Sequence, residues 1–151
     1  MINHKIALIA HDRRKDDLGE WVEYNAATLI TNQLICTKTT GDVVENILFN
    51  YLNSRNIGLD WEVLPFLTKV NSGPLGGDAQ IAAKVAEGQI DLCIFLVDDL
   101  TANPHEADIQ MLLRQCRIHN VPVACNRSTA DHLLSSPLWH TSYQPSTSVY
   151  G

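Results

Sequence analysis

Positive charge is what this chain has least of. Its 151 residues carry 11 Lys and Arg against 17 Asp and Glu, a formal net charge of −6. That balance argues against nucleic acid or an anionic membrane as a general partner, because both are held through clustered basic residues. It does not exclude a local anion site, since Arg13, Arg14 and Lys15 are consecutive. Cysteine is also sparse: Cys36, Cys93, Cys116 and Cys125 sit in apolar runs, with no Cys-x-x-Cys and no His/Cys ligand spacing. The pattern argues against a zinc site or a disulfide framework and predicts buried, reduced thiols in a cytoplasmic protein. Nothing reads as a signal peptide, a membrane-spanning run, an internal repeat or a low-complexity tract. The Gly-x4-Gly-Lys-Ser/Thr pattern of a P-loop is missing too.

What is present is the composition of an ordinary soluble domain, 45% hydrophobic and 19% charged. A chain this long buries roughly 70% of its unfolded surface, enough for one core without disulfides or metal. β-rich runs at 5–10, 34–37, 62–67, 92–97 and 121–125 alternate with helical patterns near 16–31, 42–55, 78–87, 105–119 and 128–135. The run at 92–97 is apolar throughout, as a strand buried on both faces must be. Alternation of this kind predicts an α/β fold, a single doubly wound parallel sheet of about five strands flanked by helices. The domain is expected over 1–136. Residues 137–151, rich in Ser, Thr, Tyr and Pro, are expected to form a polar tail that is partly disordered or docks on a neighbour.

In such sheets ligands bind beyond the carboxyl ends of the strands. Reactive residues collect there: His11-Asp12 after the first strand, Thr37-Lys38-Thr39-Thr40-Gly41 after the second, Asp98-Asp99 after the fourth and Asn126 after the fifth. Ser72-Gly73-Pro74-Leu75-Gly76-Gly77-Asp78 ends a loop and opens a helix, with glycines that let backbone approach a ligand. Asp78 is there either a plain N-cap or a reactive group on a rigid mount. The threonine-rich turn offers hydroxyls and amides to a phosphate, or is simply a capped helix start. His105 and Asp108 share one face of a helix, as a reactive pair or as a first turn suited to the helix dipole. Asp98-Asp99 reads as a turn, a magnesium ligand pair or a charge orienting His11.

Together these segments resemble the methylglyoxal synthase family. The likeness rests on Ile6-Ala7-Leu8-Ile9-Ala10-His11-Asp12, Thr39-Thr40-Gly41, the 72–78 segment, Phe95 to Asp98 with Leu100, and Pro104-His105 with Asp108. It implies an enzyme without metal or organic cofactor that converts dihydroxyacetone phosphate to methylglyoxal and inorganic phosphate. It also implies roles. Asp78 is the base, and His105 with the Gly73 amide stabilises the enediolate oxygen. Asp108 assists proton relay, while His11, Asp12 and Asp98 shape and polarise the pocket. Lys15, Thr37, Thr39, Thr40, Ser72 and Gly73 hold the phosphate. A homohexamer with phosphate as an allosteric inhibitor is implied as well. Lys38 stands where the family usually has glycine, and the 42–71 connection is longer than in compact members. The alternatives are a non-catalytic phosphate-ester or effector-binding module of the same fold, and a metal-dependent phosphatase using Asp12, Asp98 and His105.

Overall fold

Ile6, Ala7, Leu8, Ile9 and Ala10 are all buried, although side chains on a strand alternate between its two faces. Both faces are therefore covered. In the computed structural model, which describes residues 3–55 and 64–146, these residues form the central strand β1 (Lys5–Ala10). The other strands are β2 (Gln33–Cys36), β3 (Leu67–Lys69), β4 (Leu92–Leu96) and β5 (Val123–Ala124), all parallel, in the order β3-β2-β1-β4-β5. Among the described residues six α-helices connect or follow them: α1 (Lys15–Tyr24), α2 (Ala26–Leu29), α3 (Lys38–Ser54), α4 (Gly77–Ala86), α5 (Glu106–Ile118) and α6 (Arg127–Leu134).

The core divides by strand parity. Ile6, Leu8, Leu92, Ile94 and Leu96 face one layer, where Leu18, Trp21 and Val22 of α1, Val44, Leu48 and Leu52 of α3 and Ala130 of α6 pack. Ala7, Ile9, Cys93 and Phe95 face the other, against Ile81, Ala82 and Val85 of α4 and Ile109, Leu112 and Cys116 of α5. The predicted doubly wound sheet is what forms. Chain progression reverses between β1 and β4, and a reversal of this kind opens a crevice beyond the carboxyl ends of the two strands.

Differences from the sequence reading have local causes. The helix expected over 16–31 breaks at Asn25, whose amide donates to the Trp21 carbonyl at 2.9 Å. Helix α3 begins at Lys38 rather than 42, because Thr37 is extended (φ −65°, ψ 155°) and serves as its N-cap residue. Of the third predicted strand, 62–67, residues 62 and 63 lie outside the described residues, and β3 shares only Leu67 with it. Cys125 lies past the two-residue β5 and is exposed, unlike the other three cysteines. Residues 137–146 lie against the domain itself: His4 Nε2 bonds the Trp139 carbonyl at 2.8 Å and Asn120 donates to the Ser146 carbonyl at 2.9 Å.

Candidate active site

The segment after β3 determines where Asp78 and its neighbours stand. A tight turn at Gly73–Leu75 leads to Gly76 in the left-handed region (φ 103°), which starts α4 without a side-chain cap. A Cβ on Gly77 would overlap the Asn71 carbonyl oxygen, so only glycine lets the loop fold this tightly over the helix start. Asp78 follows in the first turn of α4. It is not the cap: its residue is 1% exposed and neither carboxylate oxygen accepts a hydrogen bond among the described residues. A buried, unsatisfied carboxylate is costly and uncommon in a structure without a task for it.

Two other groups approach Asp78, and a third stands against His105. His105 Nε2 lies 3.4 Å from Asp78 Oδ2, close, yet without hydrogen-bond geometry. The α-carbon of Gly73 faces both, since a Cβ there would sit 3.1 Å from His105 Nε2 and 3.3 Å from Asp78 Oδ1. The His11 ring stands edge-on to His105 with centroids 5.8 Å apart, and is buttressed by Phe95 at 5.3 Å. Of six buried side-chain polar atoms without a partner among the described residues, four belong here: His11 Nε2, both Asp78 oxygens and His105 Nδ1. Unsatisfied groups concentrated at one point mark a place prepared for a polar ligand.

Electrostatics separate the roles. Burial pushes the Asp78 carboxyl above the ordinary carboxylate range; His105 opposes this and Asp108 adds to it. Burial, with His105 beside it, holds the His11 imidazole below its ordinary value, so it is neutral at neutral pH. Its Nδ1 accepts the Asp98 backbone N–H at 2.9 Å, which puts the proton of the neutral ring on Nε2. Asp98 thus orients His11 through its amide rather than through its charge. Its carboxylate is held below the ordinary range by the Thr101 side chain and by the Leu100 N–H at 3.1 Å.

A second cluster lies at the other side of the crevice. Lys15 Nζ donates to the Ala10 carbonyl at 3.0 Å, and Thr40 Oγ1 donates to the same oxygen at 3.3 Å. Thr40 Oγ1 also accepts from the Ala10 N–H at 3.1 Å and from Thr37 Oγ1 at 3.1 Å. The hydroxyls of Thr37 and Thr40 are thereby engaged in holding the turn, and the free donors are backbone. The Lys38 N–H goes to the Asn71 carbonyl and the Gly41 N–H to the Thr37 carbonyl, which leaves the amides of Thr39 and Thr40 without acceptors among the described residues. The Gly73 amide likewise has no acceptor among the described residues.

Not every sequence candidate joins these clusters. Asp12 is 94% exposed at its side chain and bonds Lys15 Nζ at 2.7 Å, which lowers its pKa. The Thr39 side chain is exposed, so only its amide belongs to the second cluster; Ser72 and Asp108 are half-buried, with Asp108 near enough to raise the Asp78 pKa. Asn126 is a helix cap, accepting the Thr129 N–H at 2.9 Å. Asp12, in solvent, and Asp98, bonded to its own loop, do not converge on His105 as the phosphatase reading needs. Phe95 as the support of His11 was not foreseen, and an apolar strand carries no signal for it. A cavity of about 910 Å³, lined by His4, Arg117, Asn120 and Trp139 among others, opens at the opposite edge of the sheet. None of the Asp78 cluster lines it.

The family model for an MGS-like domain matches residues 59–125. The chain is 48% identical to the methylglyoxal synthase of Treponema socranskii, over 97% of this chain and 87% of that protein. The chain belongs to the methylglyoxal synthase family. It is also 44% identical to the methylglyoxal synthase of Coxiella burnetii (strain Dugway 5J108-111), covering 97% of this chain and 92% of the relative. The crystal structure of methylglyoxal synthase from Elizabethkingia anophelis NUHP1 superposes with a TM-score of 0.74 at 37% identity, over 98% and 90% of the two chains. The methylglyoxal synthase fold therefore extends over nearly the whole sequence.

Proposed function

We propose that this chain is a carbon–oxygen lyase that converts dihydroxyacetone phosphate to methylglyoxal and inorganic phosphate, with Asp78 as the base. The observation that carries the reading is the buried Asp78 carboxylate, unpartnered and raised in proton affinity, beside His105 and Gly73 in a chain of this family. A carboxylate of raised pKa is better matched to taking a carbon-bound proton at neutral pH.

Asp78 takes a proton from the hydroxyl-bearing carbon, and the electron pair moves to the neighbouring carbonyl oxygen. His105, the Gly73 amide and the Nε2–H of neutral His11 donate to that developing enediolate oxygen. The enediolate then collapses: the C–O bond to phosphate breaks with its electron pair leaving on the phosphate. The remaining enol takes up a proton at its methylene carbon and becomes methylglyoxal, with Asp108 assisting proton relay. Elimination requires the breaking bond to stand across the enediolate plane, so the torsion of the phosphate arm decides the product. Lys15, the amides of Thr39 and Thr40, and Ser72 grip that arm, while the Thr37 and Thr40 hydroxyls hold the turn rigid. Asp98 positions His11, and Asp12 acts through Lys15.

The same reading makes the protein a cytoplasmic homohexamer inhibited by inorganic phosphate. Tyr24, Leu75 and Leu100, at 86%, 76% and 93% exposure, supply apolar surface for self-association. The test is product analysis with dihydroxyacetone phosphate in the presence of a chelator. Methylglyoxal and phosphate in equal amounts, unaffected by chelator, are expected. Release of dihydroxyacetone, or saturable binding without product, overturns the lyase.

A further inference from the structure

Lys38 occupies the first position of the 17-residue helix α3, where a cation opposes the positive end of the helix dipole. The first turn of α3 holds no acid to offset it. Lys38 is exposed, and among the described residues its ammonium makes no ion pair or hydrogen bond, whereas Lys15 in the same cluster is already bonded to Asp12. Its backbone joins the two halves of the site: the Lys38 N–H bonds the Asn71 carbonyl at 3.4 Å, two residues before Gly73. Side chains in a helix lean toward its N-terminus, which from Lys38 is toward that seam. The free amides of Thr39 and Thr40 follow immediately in the chain.

We propose that Lys38 is a second cation for the phosphate arm of the substrate, a binding and specificity residue that selects a doubly charged phosphoester. The proposal rests on the lyase reading for which substrate arrives, but the geometry asks only for a phosphoester. A dianion at the start of α3 compensates a lysine and a dipole end that otherwise repel one another. Lys15, sharing its charge with Asp12, supplies less than one full charge to that dianion, and Lys38 supplies the remainder.

The test is calorimetric titration of the full chain with glycerol 3-phosphate, which has the phosphoester arm and no carbonyl, at low and high ionic strength. Lys38→Met is expected to weaken binding by about tenfold and to flatten the salt dependence, while Lys38→Arg keeps affinity within about threefold. In turnover, the Lys38→Met loss falls on KM for dihydroxyacetone phosphate rather than on kcat. Affinity of Lys38→Met within about twofold of the parent overturns the proposal, as does a parent that does not bind the probe. A parent that binds it, weakened by Lys38→Met, yet gives no methylglyoxal, sinks the lyase and leaves Lys38 standing.

Discussion

Burying the Asp78 carboxylate without a hydrogen-bond partner among the described residues costs the fold stability. Its pKa in the fold is raised by burial above the ordinary value near 3.9, so the folded state holds the Asp78 proton more tightly than the unfolded chain does. Above the unfolded pKa its ionisation therefore costs stability, and that cost is relieved as pH falls through the folded pKa. Asp78→Asn is expected to melt higher than the parent at neutral pH, with the gap closing below about pH 4. Thermal denaturation across pH reads this directly; parallel curves with no gap at any pH contradict it. His11 works in the opposite sense. Its folded pKa is lowered, so stability it contributes at neutral pH drains away as pH falls below the ordinary histidine value near 6.5. The sequence placed Asp78 at a helix start, where its position alone favours a cap and only the family resemblance makes it a base. Burial and missing hydrogen bonds exclude the cap, and neither has a local sequence signature.

At the scale of elements, two neighbouring glycines do different jobs. Gly77 lets the loop cross over the start of α4, and a methyl there would collide with the Asn71 backbone. Gly73 faces the His105 and Asp78 side chains instead, with room that a methyl fills only by displacing them. Gly77→Ala is expected to destabilise the fold by about 3 kcal/mol in denaturant unfolding. Gly73→Ala is expected to change stability by less than about 1 kcal/mol while lowering kcat by about 10². Equal losses of stability would show that both glycines serve the loop alone. Periodicity made β1, β4 and α5 legible to within a residue or so, because apolar side chains there repeat with the element. It failed at β3, a three-residue edge strand with Thr68 and Lys69 exposed, whose pairing with β2 supplies what its composition does not. It also missed the α3 start, since a threonine-rich first turn looks like a loop.

The whole molecule brings distant stretches to one sheet edge. Reversal of chain progression between β1 and β4 puts His11 and Asp98 at neighbouring strand ends, and α3, α4 and α5 all begin beyond that edge. Alternating β and α patterns were enough to foresee the edge, and the motif order enough to suggest the family. What sequence could not supply is which groups meet. Asp12, adjacent to His11 in the chain, faces solvent, while Asp78 and His105, far apart in the chain, lie in contact. The most direct test of the account is turnover of dihydroxyacetone phosphate by Asp78→Asn beside its affinity for glycerol 3-phosphate. Methylglyoxal formation is expected to fall by about 10² or more with affinity held within about threefold. Turnover near that of the parent would contradict the account and place the base elsewhere.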